Sequence, residues 1–575
     1  MNWGGIGLDG WDYFTFAMYF VLVSVVGYWA GRKERVNTGD YFLAGRTLPW
    51  YVVGSSFIAS NISSEHFIGM IGGAFVYGIC VAMSEWLNVG SFTLLIWLFI
   101  PFLLTAKVFT TPEFLERRFN PALRFVFAVV TVISNVVAFL AAVLYGGGLA
   151  VQTLFGWNLW FSIILLGVVA GGWAIYGGLK SVAWTDFFML IAMVAGGIMV
   201  TVLGLYALSG DSRSLIEGVR VMIERNQAYT GVWAEAARHH AQQMVHLDTY
   251  NRLSVIQPVT HEVSPWPSLI FGIFSVSIWY NVLNQFMIQR VLGARNMYHA
   301  RMGIVLAGYM KIFMPVIVVF PGLILFALHP EVLTLPWEQV RPEADRGYIN
   351  MLGTLIPAGW RGLFLAALFG AIQSTVNSVL NSTATIFTLD IYKRLIWKQA
   401  DEKHLVRMGM ASSVVILATA ILLGGFIGRI SGSLFVYIQT LYAFFAPPFA
   451  AVFLLGILFR RINGTGAATA VGLGFALGIF MKYYVTQPGH PVWLEPYANQ
   501  AIVSWCFCMA VCAGISLITA PPRPEQVTDD LTFNWRRMNI FSELGEHWYT
   551  SVVFWWGLFA AIIGFLVLLF SGLYL

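Results

Sequence analysis

The chain has 575 residues, of which 58% are hydrophobic and 11% are charged, and its net charge is +5. A typical soluble domain is about a quarter charged, so this composition excludes an ordinary soluble protein and predicts one that lies mostly in a lipid bilayer. No run of segments alternates apolar and polar residues as the strands of an outer-membrane barrel do. We therefore expect an all-α polytopic membrane protein of the plasma or inner membrane. The excess Lys and Arg indicate no nucleic-acid partner, because loops beside membrane spans are rich in them.

Apolar blocks long enough to cross a bilayer recur along the whole chain. We count about fourteen, each near the ~20 residues that a spanning helix needs. The first begins at Trp11 and has no basic flank or cleavage site, so it indicates a retained span and not a signal peptide. The four cysteines lie within apolar segments, which argues against disulfides and against a metal site.

Basic residues gather after every second apolar block, for example at Arg46, Arg118, Lys180, Arg290, Arg295 and Arg301. Cytoplasmic loops carry such an excess of Lys and Arg. This alternation predicts that the N-terminus and the C-terminus are extracellular or periplasmic. It also predicts an external loop at residues 209–267.

Two apolar helices carry polar interruptions, one at residues 60–66 and the other at residues 275–285. Broken helices at corresponding places in two halves mark the central site of many transporters. Five spans separate the two breaks, which predicts inverted repeats of five helices at 49–208 (TM1–TM5) and 268–459 (TM6–TM10). One helix and a basic loop would precede them at 1–48, and three helices would follow at 460–575.

Ionisable residues at membrane depth are costly and usually functional, and Glu85 and Lys311 are the most informative of them. One interpretation is a buried pair that only holds helices together. The other is that they line a water-filled cavity and bind hydroxyl groups, which need both donors and acceptors. Asn61 and Gln439 would add amides to that set. His66, beside the first interruption, is either a structural residue or a substrate contact.

Four small residues share one face of a predicted helix, namely Ala371, Ser374, Thr375 and Ser378. Such a face lets membrane helices approach closely, or it forms a cation site, because hard cations prefer oxygen ligands. Hydroxyl groups do not take up a proton at physiological pH. A cation site here would therefore favour Na⁺ over H⁺.

Several motifs resemble the sodium/solute symporter family, in particular its sodium/glucose and sodium/galactose cotransporters. They are Asp-Tyr-Phe-Leu-Ala-Gly-Arg at 40–46, Ala-Ser-Asn-Ile at 59–62 with Phe-Ile-Gly-Met at 67–70, Asn-Ser-Thr-Ala-Thr-Ile-Phe-Thr at 381–388 with Asp-Ile-Tyr-Lys at 390–393, and Tyr-Ile-Gln at 437–439 before two prolines. The resemblance covers nearly the whole chain. It implies a LeuT-type core of ten helices with one helix before it and three after it.

The resemblance also implies sites. Sodium would meet backbone oxygens and hydroxyls of Ala59, Ile62, Ala371, Ser374 and Thr375. A second sodium site, found in some members, would comprise Asp186, Ser374, Asn377 and Ser378. The substrate would contact Asn61, His66, Glu85, Asn88, Ser277, Lys311 and Gln439, with Tyr280 as the inner gate and Met70 and Phe435 as outer closing residues.

Two positions depart from the family pattern. Asn281 stands where sugar-transporting relatives carry a Trp, and we expect it to join the substrate site and to tune which sugars fit. Asn377 replaces a small hydroxyl residue, although its amide oxygen can still bind a cation.

The function predicted is sodium-coupled symport of a glucose-like or galactose-like sugar by alternating access, with Na⁺ as the coupling ion. The alternatives are symport of another polyol or organic solute, such as an inositol, an amino sugar or a carboxylate, and a sugar sensor on the same fold that does not transport. The sequence has no nucleotide-binding glycine loop and no metal triad, so we do not expect an enzyme.

Overall fold

A computed structural model of the chain describes residues 9–32, 37–106, 108–244, 250–340, 343–344, 355–357, 359–427, 434–534 and 540–572. These residues form a bundle of helices, and the only β structure among them is two isolated bridges, Leu48 with Ala294 and Gln257 with Pro265. The predicted all-α class is confirmed.

Within the described residues, 11 helices are long and apolar enough to cross a membrane. They are Gly10–Gly31, Glu65–Ala106, Pro121–Phe155, Ala174–Ser212, Met297–Leu328, Trp360–Ile396, Glu402–Gly424, Phe435–Leu458, Gly464–Tyr484, Tyr497–Ile518 and Val552–Leu569. The bent pair Pro267–Leu283 and Gln285–Leu292 adds a twelfth crossing.

The predicted number of about fourteen is reached when two divided helices are counted by their parts. The helix Leu159–Ser209 is interrupted at Gly178 (φ 60°), which separates the apolar segment Leu159–Gly172 from the rest. Gly78 (φ 80°) similarly divides Glu65–Ala106, whose first part continues Trp50–Asn61 across a break. Both positions require positive φ, which glycine adopts at little cost.

The first broken helix comprises Trp50–Asn61, Glu65–Met70 and Ile71–Tyr77. Ile62 is extended (φ −76°, ψ 119°), so residues 62 and 63 leave the helix within the interruption predicted at 60–66. The Ile62 and Ser60 carbonyls are thereby released from regular helical bonding and instead accept hydrogen bonds from Thr375.

The second broken helix comprises Pro267–Leu283 and Gln285–Leu292, which meet at an angle of 54°. Asn284 is extended at the break (φ −68°, ψ 123°), again inside the predicted interval. The two broken helices lie against the helix Met297–Val318 and the helix Leu434–Leu458, respectively. This arrangement places both breaks around one interior space.

Short helices flank the bundle at its two ends. Thr38–Leu43 and Thr111–Arg118 lie at the end rich in basic residues, whereas Leu215–Gln227 and Gly231–Met244 lie in the long connection before the second broken helix.

Buried arginines donate hydrogen bonds to carbonyls near helix ends. Arg118 and Arg301, which the sequence pattern placed among loop charges, are fully buried. Arg118 donates to the carbonyls of Gly456, Phe459 and Ile462, at the end of Leu434–Leu458. A cation is favourable there, because the last carbonyls of a helix lack intrahelical donors and carry partial negative charge.

Candidate functional site

A cavity of about 140 Å³ lies between the two broken helices. A space of that volume holds on the order of ten waters, which matches a ligand the size of a monosaccharide. Ten of the eleven residues predicted to bind the substrate or gate it line the cavity: Asn61, His66, Met70, Glu85, Asn88, Ser277, Tyr280, Lys311, Phe435 and Gln439. The eleventh, Asn281, lies outside the lining.

A buried polar cluster centred on Lys311 forms one wall. The Lys311 Nζ lies 2.6 Å from the Glu85 Oε2 and also donates to the Asn61 Oδ1. The His66 Nε2 lies 3.3 Å from the other Glu85 oxygen. A buried charge is tolerated when it is paired and hydrogen-bonded, so Lys311 and Glu85 stabilise each other. All four residues of the cluster line the cavity.

Glu65 is a cavity residue that the sequence analysis did not assign to the site. Its Oε1 accepts a hydrogen bond of 3.0 Å from the Gln439 Nε2, and its side chain is buried. The sequence feature that could have assigned Glu65 to the site was its position next to His66 in the first interruption. The contact fixes the orientation of the Gln439 amide, whose oxygen then remains available as an acceptor.

Tyr280 forms the floor of the cavity nearest the breaks. Its hydroxyl accepts a hydrogen bond of 2.6 Å from the Asn61 Nδ2. Its ring packs against Phe139, Phe286 and Tyr442, with centroid distances of 6.0, 5.7 and 5.5 Å. The aromatic layer separates the cavity from the protein interior beyond the breaks.

Asn281 points away from the cavity and supports it through a neighbour. Its Nδ2 donates to the Asn88 Oδ1 at 2.5 Å and to the Ser91 Oγ at 2.9 Å. The Asn88 amide also donates to the carbonyls of Ser84 and Glu85. The hydrogen-bonding groups of Asn88 are therefore largely used within the protein. Asn281 affects the cavity by holding Asn88 in place.

The residues predicted to bind sodium converge beside the first break. Ala59, Ile62, Ala371, Ser374 and Thr375 are all buried. The Thr375 Oγ1 lies 3.1 Å from the Ile62 carbonyl, so the hydroxyl face and the released backbone oxygens meet. This set consists of oxygens, which suits a hard cation. The Ser374 hydroxyl donates to the Asp186 Oδ1 at 2.6 Å.

Asp186 lies in a network that contains a second charge. Its Oδ2 accepts from the Ser56 hydroxyl at 2.6 Å and lies 3.7 Å from an Arg290 nitrogen. Arg290 also donates to Ser56 and Ser378 and is fully buried. The hydropathy pattern predicted that Arg290 lies in a cytoplasmic loop. The sequence signal for its contact with Asp186 was its position directly after the second interruption. The Asn377 amide has no hydrogen-bond partner among the described residues.

The chain resembles known membrane symporters in sequence. The sequence profile of the Sodium:solute symporter family matches residues 41–474, which is more than half of the chain. The chain belongs to this family. The symporter is 34% identical to the sodium/glucose cotransporter of Vibrio parahaemolyticus over 93% of this chain and 96% of that protein. It is 30% identical to the human sodium/myo-inositol cotransporter over 93% of this chain and 76% of that one.

A solved structure shows the same fold. The symporter superposes with a TM-score of 0.73 on a substrate-bound, outward-open Na⁺-coupled sialic acid symporter, at 19% identity, over 89% of this chain and all but 1% of the other. The predicted LeuT-type fold is thereby confirmed. The protein is a multi-pass membrane transporter whose coupling ion is sodium, and it is not an enzyme.

Proposed function

We propose that this symporter couples the entry of sodium to the entry of a neutral, monosaccharide-sized sugar or polyol. The observation that carries the proposal is the cavity of about 140 Å³ in which the buried Lys311 is paired with Glu85. Lys311 and Glu85 neutralise each other, so the wall offers donors and acceptors without demanding a charged ligand. A sugar hydroxyl needs both kinds of partner.

The relatives support the same class of substrate. One of those named above is a sodium/glucose cotransporter and the other a sodium/myo-inositol cotransporter. Glucose and myo-inositol are both neutral six-carbon molecules with a six-membered ring and several hydroxyls. We place glucose or galactose first and an inositol second.

The sodium ion would bind where the first break meets the helix Trp360–Ile386. Its ligands would be the carbonyls of Ala59, Ile62 and Ala371 and the hydroxyls of Ser374 and Thr375. These oxygens belong to two separate helices, so a bound ion would hold the two helices together and stabilise the substrate site next to the break. The second site, at Asp186, Ser374, Asn377 and Ser378, is the weaker proposal, because Arg290 already balances Asp186.

The topology that we propose has both termini outside. The end of the last helix is tied to the connection before the second broken helix, since the Val255 N–H donates to the Phe570 carbonyl at 2.7 Å. The basic residues Arg124 and Arg394 lie at the opposite end, where both contact Glu116. Basic residues at that end match a cytoplasmic side that is rich in Lys and Arg. The inverted repeats at 49–208 and 268–459 belong to the same proposal.

Uptake by purified protein in liposomes tests the function. We expect an inward sodium gradient to drive accumulation of labelled glucose, galactose or myo-inositol, and a potassium or choline gradient to drive none. Binding of the sugar without accumulation would favour the sensor. Failure of every sugar and polyol, with uptake of a carboxylate or an amino sugar instead, would overturn the substrate class but leave sodium coupling intact.

The double substitution Ser374→Ala and Thr375→Ala tests the sodium site. It removes the two side-chain ligands, so we expect sodium activation of uptake to be lost or shifted at least tenfold in concentration. The matched control is Ser412→Ala and Ser413→Ala, because both hydroxyls are buried and bonded to the Gly409 carbonyl in another helix. Wild-type sodium activation in the Ser374/Thr375 variant would show that sodium binds elsewhere.

A further inference from the structure

One buried hydroxyl in the cavity wall has no hydrogen-bond partner among the described residues. It belongs to Ser275, which is 1% exposed and lines the cavity. Serines within helices usually donate to a carbonyl three or four residues earlier, and the cavity serine Ser84 does so at 2.7 Å. Ser275 therefore has its full capacity, one donor and two acceptor positions, unused.

The local backbone explains why the Ser275 hydroxyl makes no hydrogen bond to a helical carbonyl. Ser275 lies in the widened helical turn Ile273–Ser277 of the second broken helix. Such a turn displaces the carbonyls from their α-helical positions, and widened turns are frequent at functional sites. A buried hydroxyl without a hydrogen-bond partner costs free energy. A ligand group that enters the cavity and hydrogen-bonds to it would offset that cost.

Ser275 also lies at a distinct place along the cavity. It lies five positions before Tyr280 on the same broken helix, which corresponds to about 7.5 Å along the axis of an α-helix. Tyr280 and Ser275 both line the cavity, and Asn61 joins the Tyr280 hydroxyl to Lys311. At that separation Ser275 and Tyr280 would contact different parts of a ligand that fills the space.

We propose that Ser275 binds the substrate hydroxyl that points away from the Tyr280 floor, and so contributes to the choice among sugars and polyols. This inference rests on the proposed function, because it requires a polyhydroxylated substrate. Asn88, the neighbouring polar residue, is less suited to that contact because its amide is already bonded on both hydrogens.

The test compares Ser275→Ala and Ser275→Cys with the wild type in liposome uptake. Both substitutions keep the volume approximately, and Cys is only a weak hydrogen-bond donor. The loss of one neutral hydrogen bond predicts a rise of about 3- to 10-fold in KM for the best sugar. Half-saturation by sodium and the thermal unfolding midpoint should stay at wild-type values. Ser412→Ala is the control for removal of a buried, helical serine outside the cavity.

A series of deoxy sugars, each lacking one hydroxyl, separates contact from packing. If Ser275 binds one hydroxyl, the KM penalty of Ser275→Ala disappears for the one analogue that lacks that hydroxyl and persists for the others. An unchanged KM for every sugar, or an equal penalty for every analogue, would overturn the inference while leaving sugar transport intact. If the wild type transports no sugar or polyol, the proposed function and this inference both fail.

Discussion

At the scale of single residues, the Lys311 cluster is a buried, paired network that lines the cavity, and we expect it to bind substrate. Lys311 contacts Glu85 and Asn61, and Asn61 in turn holds the Tyr280 hydroxyl. The two interpretations that the sequence left open for Glu85 and Lys311 are therefore compatible, because a paired charge can still present its remaining hydrogens or lone pairs to a ligand.

The substitution Lys311→Gln should separate these roles. It leaves Glu85 buried without its ammonium partner, and breaking a buried pair in this way destabilises a protein by roughly 3–5 kcal/mol. We expect a lower unfolding temperature and loss of uptake. The double substitution Glu85→Gln with Lys311→Gln should recover much of the stability but not the uptake. Wild-type stability in the single variant would show that the pair contributes little to the fold.

Tyr280 should act as a gate, since an aromatic side chain can open a closed layer by a change of rotamer. Tyr280→Ala is expected to let sodium pass without substrate, which raises the charge moved per sugar in simultaneous current and uptake measurements. Tyr280→Phe keeps the ring and loses only the hydroxyl contact with Asn61, so its coupling should stay normal. Equal coupling in Tyr280→Ala and the wild type would assign Tyr280 to a static wall.

At the scale of elements, the segment 250–266 is fastened over the outer end of the first broken helix. Arg252 donates to the carbonyls of Val76 and Phe75 at 2.8 and 2.7 Å, and its guanidinium lies 3.7 Å from the centre of the Phe326 ring. The Tyr250 hydroxyl bonds to the Tyr77 carbonyl at 2.7 Å. These contacts satisfy the final carbonyls of Ile71–Tyr77 and fix the segment that leads into the second broken helix.

His261 makes this segment sensitive to acid. Its Nδ1 accepts the N–H groups of Val263 and Ser264, and its Nε2 lies 2.7 Å from the Tyr250 hydroxyl. Burial lowers the pKa of His261 from 6.5 to about 3, because the charged imidazolium would lose its hydration. The folded protein therefore keeps His261 neutral where the unfolded chain would protonate it.

The stability contribution follows from that difference in pKa. Between pH 6.5 and about 3, the unfolded state binds a proton that the folded state does not. Stability should thus fall as the pH drops below 6.5, by at most about 1.4 kcal/mol per pH unit from this residue. Thermal unfolding measured from pH 7 to pH 5 should show a smaller decline in His261→Gln than in the wild type. The control is His547→Gln, at an exposed position. Identical slopes of unfolding temperature against pH in all three proteins would exclude His261 as the cause of the decline.

At the scale of the whole molecule, the number of sodium ions decides how far the substrate can be concentrated. One charge that crosses at −100 mV yields ~2.3 kcal/mol, and a tenfold sodium gradient adds ~1.4 kcal/mol. One ion therefore supports accumulation of roughly several hundredfold, and two ions support roughly the square of that.

Arg290 favours one ion, because it neutralises Asp186 without a second sodium. We expect reversal potentials in liposomes to show one charge per sugar in the wild type. Asp186→Asn should leave that ratio at one while it lowers stability, since Arg290 would remain buried without its carboxylate. A ratio of two in the wild type that falls toward one in Asp186→Asn would establish the second site and require Arg290 to release Asp186.

Much of this architecture follows from the sequence alone. The spans follow from apolar length, the two breaks from polar residues inside apolar helices, and the shared face of Ser374, Thr375 and Ser378 from helical spacing. All of these are local properties of a chain in which each residue's neighbours are set by a period of 3.6. Glu85 and Lys311 were also identifiable, because a charge at membrane depth is expensive wherever its partner lies.

Only the tertiary structure decided which distant side chains meet. The sequence did not reveal that Arg290 faces Asp186, that Glu65 orients Gln439, or that Asn281 reaches Asn88 and not the cavity. Nor did it reveal that the Ser275 hydroxyl has no hydrogen-bond partner within the part of the chain that the structure describes. Each of these facts depends on the relative rotation and depth of helices far apart in the chain. A rotation of one helix by a single residue, about 100°, would exchange a cavity residue for a packing residue, and the hydropathy pattern does not fix that angle when a helix is buried on most sides.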